Sequence, residues 1–373
     1  MADGSAPTFA IIAGGGTAGH VLPGLAIADA LVARGHPQSS IHYVGSRGRI
    51  EATLVPEAGY SLTLLPGRGI ERKLTLRNVT AIAGIVRALA SGLLLVRRRR
   101  PRVVIAVGGY ASVAIALAAK VWRVPIVVAE QNAIPGAANR LVARFARAAA
   151  VSFPGTALPR AVVTGNPVRA DILAIDRARD GAAAKMGLGV EPGRRVVVVT
   201  GGSLGALRIN QAAIDALAQW RDRHDLAIRH VVGERDWDTL APERHVGEGA
   251  VQYLPVRYDH DMPRTLAAAD VAVGRAGAST CFEFAAIGLP AVLVPSPYVT
   301  ADHQTANARH MAGAGAAVVV PDHEFSAERL VREVDALLAA PDRLAAMSKA
   351  MQSVARPKAA DEVAALAEEH ARP

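Results

Sequence analysis

Residues 9–35 read FAIIAGGGTAGHVLPGLAIADALVARG: an apolar run, a turn with Gly14, Gly16 and Gly19 in G-x-G-x-x-G spacing, then an apolar helical stretch. Strand, glycine turn and helix in that order open a βαβ unit whose helix start offers backbone N–H groups to an anion or a hydroxyl. Glycine there lets a ligand approach N–H groups that a Cβ would block. A dinucleotide site needs one feature more, an acid about 20 residues on, at the end of the second strand. Here the second strand, IHYV from Ile41, runs into Gly45, Ser46 and Arg47. NAD is thereby disfavoured, while an NADP-dependent oxidoreductase stays open through Arg47.

The pattern continues outward from this unit. FAIIA from Phe9, IHYV from Ile41, VVIAV from Val103, IVVAE from Ile126 and AAVS from Ala149 are continuously apolar rather than alternating, as in parallel strands covered on both faces by helices. After the turn-rich TGNPVRADI and MGLGVEPGRR the series restarts with VVVVT at Val196, followed by IRHVV, VAVG, AVLVP and AAVVV. At 373 residues, two α/β domains are expected, and 51% hydrophobic with 4% aromatic residues suits aliphatic helix-on-sheet packing. The fold class is α/β, with two doubly wound parallel-sheet domains joined near Asn166 to Arg169 and a ligand cleft outside the carboxyl ends of their strands. The expected division is 1–167, 168–356 and a terminal helical segment, 357–373.

Composition narrows the partners. The net charge of +9 admits nucleic acid, an anionic membrane surface, a phosphorylated small molecule, or an Arg content set by genomic bias alone. Aromatic-basic interleaving, zinc-finger spacing and an RNP-like strand are all missing, which speaks against nucleic acid. The single Cys281 allows no internal disulfide and fits a reducing compartment. The start, MADGSAPTFA, lacks a basic n-region and a cleavage site, so export is not expected. The longest uncharged apolar stretch, Val103–Ala119, carries GGY in its middle and reads as strand, turn and helix rather than a membrane span.

Three places carry candidate chemistry. His20 sits just inside a helix N-terminus, where the dipole disfavours imidazolium; a neutral ring is what a general base needs. VVVVTGGSLGALRIN repeats strand, glycine turn and helix, and Gly201, Ser203 and Gly205 also spell the G-x-S-x-G of a hydrolase elbow, with Asp270 and His303 as nominal partners. A backbone nest holding a diphosphate, with the Ser203 hydroxyl adding a hydrogen bond, accounts for the same residues without a triad. VGRAGASTCFEFAAIG places Ala278, Ser279 and Thr280 at a third helix start, with Glu283 able to accept from vicinal hydroxyls. Its structural alternative is Ser279 as N-cap and Glu283 as an ordinary first-turn charge.

In order along the chain, GGTAGHVLPGLA, GGYAS, AEQNAIPG, FPG, GNPVR, GGSLGALRIN, RAGASTCFEFAAIGLPAVLVP and DHQTANA resemble the MurG family of peptidoglycan glycosyltransferases, over essentially the whole chain. The resemblance implies a GT-B fold of two Rossmann-like domains, with a C-terminal helix crossing back to the N-domain. It also implies an inverting transfer of N-acetylglucosamine from UDP-N-acetylglucosamine to the C4 hydroxyl of the muramyl sugar of lipid I, giving lipid II without a metal or cofactor. Its rivals are a GT-B transferase with another acceptor and, from a different class, the NADP oxidoreductase or a non-catalytic membrane-binding module.

By the same resemblance His20 is the base. Thr17, Ala18, Gly19 and Asn132 adjoin the donor sugar, Arg169 lies near the uracil, and Ser203 contacts phosphate. Ala278, Ser279 and Thr280 meet phosphate or sugar, Glu283 binds the ribose hydroxyls, and Gln304 reaches sugar hydroxyls. Ala18 stands where the family usually has Gly, Leu204 where it has Gln, and His303 where some members have Gln; no uracil contact is assigned in YLPVRYDHDM. A lipid-anchored acceptor gives the basic charge a role. ERKLTLRNVTAIAGIVRALASGLLLVRRRR joins an apolar helical stretch to Arg97, Arg98, Arg99 and Arg100, as in a peripheral segment on the anionic cytoplasmic face of the inner membrane.

Overall fold

The computed structural model describes residues 7–66, 76–202 and 205–373, and of residues 76–83 and 85 the backbone alone. Ser203 and Leu204 therefore lie outside the described residues, as does the start of the basic-apolar stretch, 71–75. Two compact units emerge: Met1–Arg169 with Arg356–Pro373, and Ala170–Ala355.

The first unit runs β1 (Ala10–Gly14), α1 (Ala18–Ala33), β2 (Ile41–Ser46), α2 (Glu51–Glu57), β3 (Ser61–Leu65), α3 (Leu76–Arg99), β4 (Val103–Gly108), α4 (Tyr110–Val121), β5 (Ile126–Glu130), α5 (Ala137–Ala143), β6 (Ala148–Val151) and β7 (Ala161–Val163). Its sheet has the order β3-β2-β1-β4-β5-β6-β7, and every pairing is parallel. The pleat sends alternate residues to opposite faces. Ile11, Ala13, Val104 and Ala106 pack with Ala111, Ile115 and Val142 on one side. Ile12, Val103, Ile105 and Val107 pack with Val21, Ile27 and Leu31 on the other. Burial on both faces is why these strands read as unbroken apolar runs.

The second unit runs α6 (Ala170–Leu173), α7 (Arg177–Gly187), β8 (Arg195–Thr200), α8 (Leu207–Gln219), β9 (Leu226–Val231), α9 (Trp237–Leu240), β10 (Gln252–Val256), α10 (Met262–Ala268), β11 (Val271–Gly274), α11 (Ala278–Ala286), β12 (Ala291–Leu293), α12 (His303–Gly313), β13 (Ala317–Val319), α13 (Ala327–Leu338) and α14 (Pro341–Val354). Its parallel sheet has the order β10-β9-β8-β11-β12-β13. The last helix, α15 (Ala359–His370), belongs to the first unit. Val363, Ala364 and Ala367 join the α1 face of its core, Arg34 pairs with Asp361 (2.8 Å) and Glu368 (2.7 Å), and His36 meets Glu368 at 2.9 Å.

Every strand read from the sequence is present, and β3, β7 and β10 are additional. All three lie at sheet edges. β7 is exposed along its length and β3 at its start, so neither carries the apolar run of a central strand. β10 contains Pro255, which an edge tolerates because a prolyl nitrogen facing away from β9 costs no ladder bond.

Candidate functional site

In the first unit the turn after β1 delivers Thr17 as the N-cap of α1, so His20 is the third helical residue and its backbone N–H bonds Thr17 O at 3.1 Å. Their side chains meet as well, with Thr17 Oγ1 3.2 Å from His20 Nδ1. The Cδ2–Nε2 edge of the ring lies against Gly108, where a Cβ would stand 2.9 Å from both atoms. Gly109 likewise admits the carbonyl of Gly15, which a Cβ would meet at 2.7 Å. The GGY glycines thus serve close approach between the β1–α1 and β4–α4 turns. Ala18, Gly19 and His20 are half-buried and Thr17 is exposed.

Two buried carboxylates hold this region, and the sequence reading missed both. Glu130, at the carboxyl end of β5, accepts from the Asn132 N–H (2.9 Å), Asn132 Nδ2 (3.3 Å), the Gly136 N–H (3.0 Å) and Asn139 Nδ2 (2.9 Å). That network presents Asn132 and fixes the AEQNAIPG loop. An acid at a strand's carboxyl end in an open α/β sheet was the available signal. Glu51, 0% exposed at the start of α2, accepts from the Gly16 N–H at 2.9 Å and the Ser46 N–H at 2.8 Å. The Gly15 N–H donates to Gly108 O at 3.3 Å. Two of the N–H groups a pyrophosphate would need are taken, which removes the dinucleotide site and with it the role of exposed Arg47. Arg169 is half-buried immediately before α6.

In the second unit Gly205, just ahead of α8, is closely packed: a Cβ there would stand 2.5 Å from Val232 O and 2.9 Å from Asp236 Oδ2. Beneath it lies a buried network. Asn210 Nδ2 donates to Val232 O (2.8 Å) and Asp236 Oδ2 (2.9 Å), leaving Oδ1 to accept from His230 Nε2 (3.1 Å). His230 Nδ1 then accepts from the Tyr253 hydroxyl (2.8 Å), a neutral tautomer with both nitrogens satisfied. Burial pushes the His230 pKa down to about 3.

The hydrolase triad does not form. Asp270 accepts from Lys185 Nζ and the Val196 N–H, each at 2.7 Å, while His303 Nδ1 meets Thr300 O at 2.9 Å.

At the third turn the structural alternative also fails. Gly277, not Ser279, is the N-cap of α11; no side chain caps it, and Glu283 falls in the second turn of the helix, which has no acid in its first. The Ser279 hydroxyl is buried with no hydrogen-bond partner, a costly state unless a ligand supplies one. Thr280 and Glu283 are half-buried on the same short helix. Gln304 Oε1 accepts from the Ser296 N–H at 2.8 Å, which directs its amide NH2 elsewhere as a donor. Arg275 stabilises the turn through Val294 O (3.1 Å) and Asp322 (2.5 Å). Among the described residues no three His, Cys, Asp or Glu side chains are grouped to hold a metal ion.

Comparison with known proteins finds two family models along the chain. Residues 10–151 match the glycosyltransferase family 28 N-terminal domain and residues 196–363 the family 28 C-terminal domain. A UDP-N-acetylglucosamine--N-acetylmuramyl-(pentapeptide) pyrophosphoryl-undecaprenol N-acetylglucosamine transferase of Alkalilimnicola ehrlichii is 41% identical, over 97% of this chain and 99% of the relative. One of the same name from Desulforudis audaxviator is 38% identical, over 95% and 96%. The crystal structure of Acinetobacter baumannii MurG superposes with a TM-score of 0.75 at 26% identity, over 97% of this chain and 100% of that one. S. aureus MnaA, solved with UDP, shares the fold at 13% identity and a TM-score of 0.67. The chain therefore belongs to glycosyltransferase family 28 and, within it, to the MurG family of N-acetylglucosaminyltransferases with the GT-B fold.

Proposed function

We propose that the chain moves N-acetylglucosamine from UDP-N-acetylglucosamine to the C4 hydroxyl of the muramyl sugar of lipid I, with inversion, and that His20 is the base. The observation that carries the base assignment is the Thr17–His20 pair. With Nδ1–H donating to Thr17 Oγ1, the ring is held as the tautomer whose basic nitrogen is Nε2, the atom that takes the acceptor's proton as its oxygen attacks C1. UDP departs as that bond forms, stabilised by helix-start N–H groups at the glycine turns of the second unit.

Glu283 accepts from the ribose hydroxyls, and Ser279, with Ala278 and Thr280, meets the phosphate or sugar. Gln304 donates to a sugar hydroxyl; Thr17, Ala18, Gly19 and Asn132 bound the sugar from the first unit, and Arg169 lies near the uracil. Ser203 keeps its phosphate role as a proposal from outside the described residues. The deciding experiment measures transfer of labelled N-acetylglucosamine from UDP to a lipid I analogue. Titration with NADP against UDP separates the alternative class: NADP binding without UDP binding overturns the transferase reading.

The lipid acceptor calls for attachment to the cytoplasmic face of the membrane, and the ends of α3 and α4 support it. Leu94, Val121 and Trp122 are 47%, 63% and 40% exposed, and the Arg97 guanidinium lies 5.7 Å from the Trp122 ring centre. Arg97, Arg98 and Arg100 are exposed and Arg99 half-buried beside them. Exposed apolar groups rimmed by cations suit a peripheral contact, each cation contributing about 1 kcal/mol near an anionic surface. No helix among the described residues is long and apolar enough to cross a membrane. Cosedimentation with phosphatidylglycerol vesicles should exceed that with phosphatidylcholine and fall on replacing Arg97, Arg98 and Arg100 by Gln; equal binding to both removes the electrostatic contact.

A further inference from the structure

We propose that Glu51 is a positioning residue for the transfer: its carboxylate acts as a built-in anion in the first glycine turn and sets the path of the backbone that presents Thr17 and His20. This rests on the functional reading above. Glu51 is wholly buried, and its two oxygens are divided between two segments, Oε2 taking the Gly16 N–H (2.9 Å) and Oε1 the Ser46 N–H (2.8 Å). One side chain thereby ties the turn after β1 to the end of β2. Gly16 is the residue immediately before Thr17, the N-cap of the helix that carries His20.

The fit around the carboxylate is close on both sides. A Cβ at Gly15 or at Gly45 would collide with Glu51, so these glycines make room for the protein's own carboxylate rather than for a ligand. The turn keeps the N–H geometry of an anion nest and fills it from within. Two consequences follow. The turn has no need of a bound nucleotide to be ordered, and a second nucleotide cannot settle there in competition with the donor. Backbone N–H groups meeting a carboxylate make charge-assisted hydrogen bonds, stronger and shorter than neutral ones, which suits a residue that must hold a general base in register. Tyr43 lies in the same core, its phenol pushed above the ordinary tyrosine range by burial and secondarily by the Glu51 charge.

An amide at this position would turn an NH2 toward one of the two N–H donors, opposing donor to donor in a buried space. The test compares wild type, E51Q, E51D and E51A in the labelled-transfer assay, with UDP binding by calorimetry as an independent check on the second unit. Expected is a kcat lower by about 10²-fold in E51Q and E51A, since small misplacements of a catalytic group cost that much, with UDP affinity and donor KM little changed. E51D, which keeps the charge on a shorter arm, should recover part of the loss. Formate at tens of millimolar should restore activity to E51A, whose cavity it fits, and not to E51Q, whose cavity is filled. A kcat near wild type in E51Q, or a folded E51A that formate does not rescue, overturns the proposal. If E51A fails to fold, the kcat of E51Q decides by the same criterion. A wild-type chain that transfers no sugar instead overturns the functional reading itself, which keeps the two failures apart.

Discussion

The first and third glycine turns are built alike, each following a parallel strand and starting a helix, yet their polar groups are disposed in opposite ways. At the first, the Gly15 and Gly16 N–H groups are spent on Gly108 O and Glu51, and the helix that follows brings a histidine to its third position. At the third, the helix start has no side-chain cap and a buried Ser279 hydroxyl has no partner within the protein. A turn already occupied by a carboxylate repels a diphosphate; on the proposed function it positions the base, while the turn with the unmet hydroxyl takes the donor. The motif supplies N–H groups, and the surrounding side chains decide whether they face inward or outward.

The largest effect that would break this contrast is on His20. His20→Ala should lower kcat by about 10²- to 10⁴-fold, the usual contribution of a general base, while UDP binding by calorimetry stays near wild type. Near-normal turnover would leave the first turn without a catalytic role. Next, Glu283→Gln should weaken UDP binding by about 10- to 100-fold, as expected for losing a charged hydrogen-bond acceptor, with little change in the pH dependence of kcat. An unaltered dissociation constant would move the ribose contact elsewhere.

Smaller is Ser279→Ala, which should raise the donor KM by about 2- to 10-fold while thermal stability holds or rises, because the hydroxyl has no partner to lose in the free protein. A clear fall in melting temperature would show that the hydroxyl is structural after all.

The smallest expected effect, near neutral pH, is on stability in acid. His230 in the second unit is pushed down to about 3 by burial, and His42 in the first to about 4 by burial and then by the charge of Arg99. Both lie below the ordinary histidine value, so above about pH 6.5 neither form binds the proton and the full stability is present. As pH falls from about 6.5 towards 3 the unfolded chain takes up protons that the folded chain refuses, and stability declines. Urea midpoints at descending pH should therefore drop below pH 6.5, and His230→Gln should flatten part of that slope; a midpoint constant from pH 7 to 4 would contradict the buried neutral network under the second turn.

The central strands were legible because both of their faces are buried, which writes a continuous apolar run into the sequence. β3, β7 and β10 were not, because an edge strand shares its surface with solvent and admits polar residues or, at Pro255, a proline. His20 stood out from its position just inside a helix start, whereas Thr17 and a ligand role for the third turn came only from the resemblance to the family. Glu51 was not legible: the dinucleotide pattern asks for an acid at the end of the second strand, whereas this one comes five residues after Ser46 and folds back to a turn 35 residues earlier in the chain.

Local order along the chain determined which segments became strands, glycine turns and helices, since hydrophobic period and backbone freedom act over a few residues. Only the tertiary structure decided what each glycine turn holds. Whether a backbone N–H meets a buried carboxylate, a neighbouring carbonyl or an empty place for a ligand depends on side chains brought from distant parts of the sequence, and spacing along the chain carries no record of that distance.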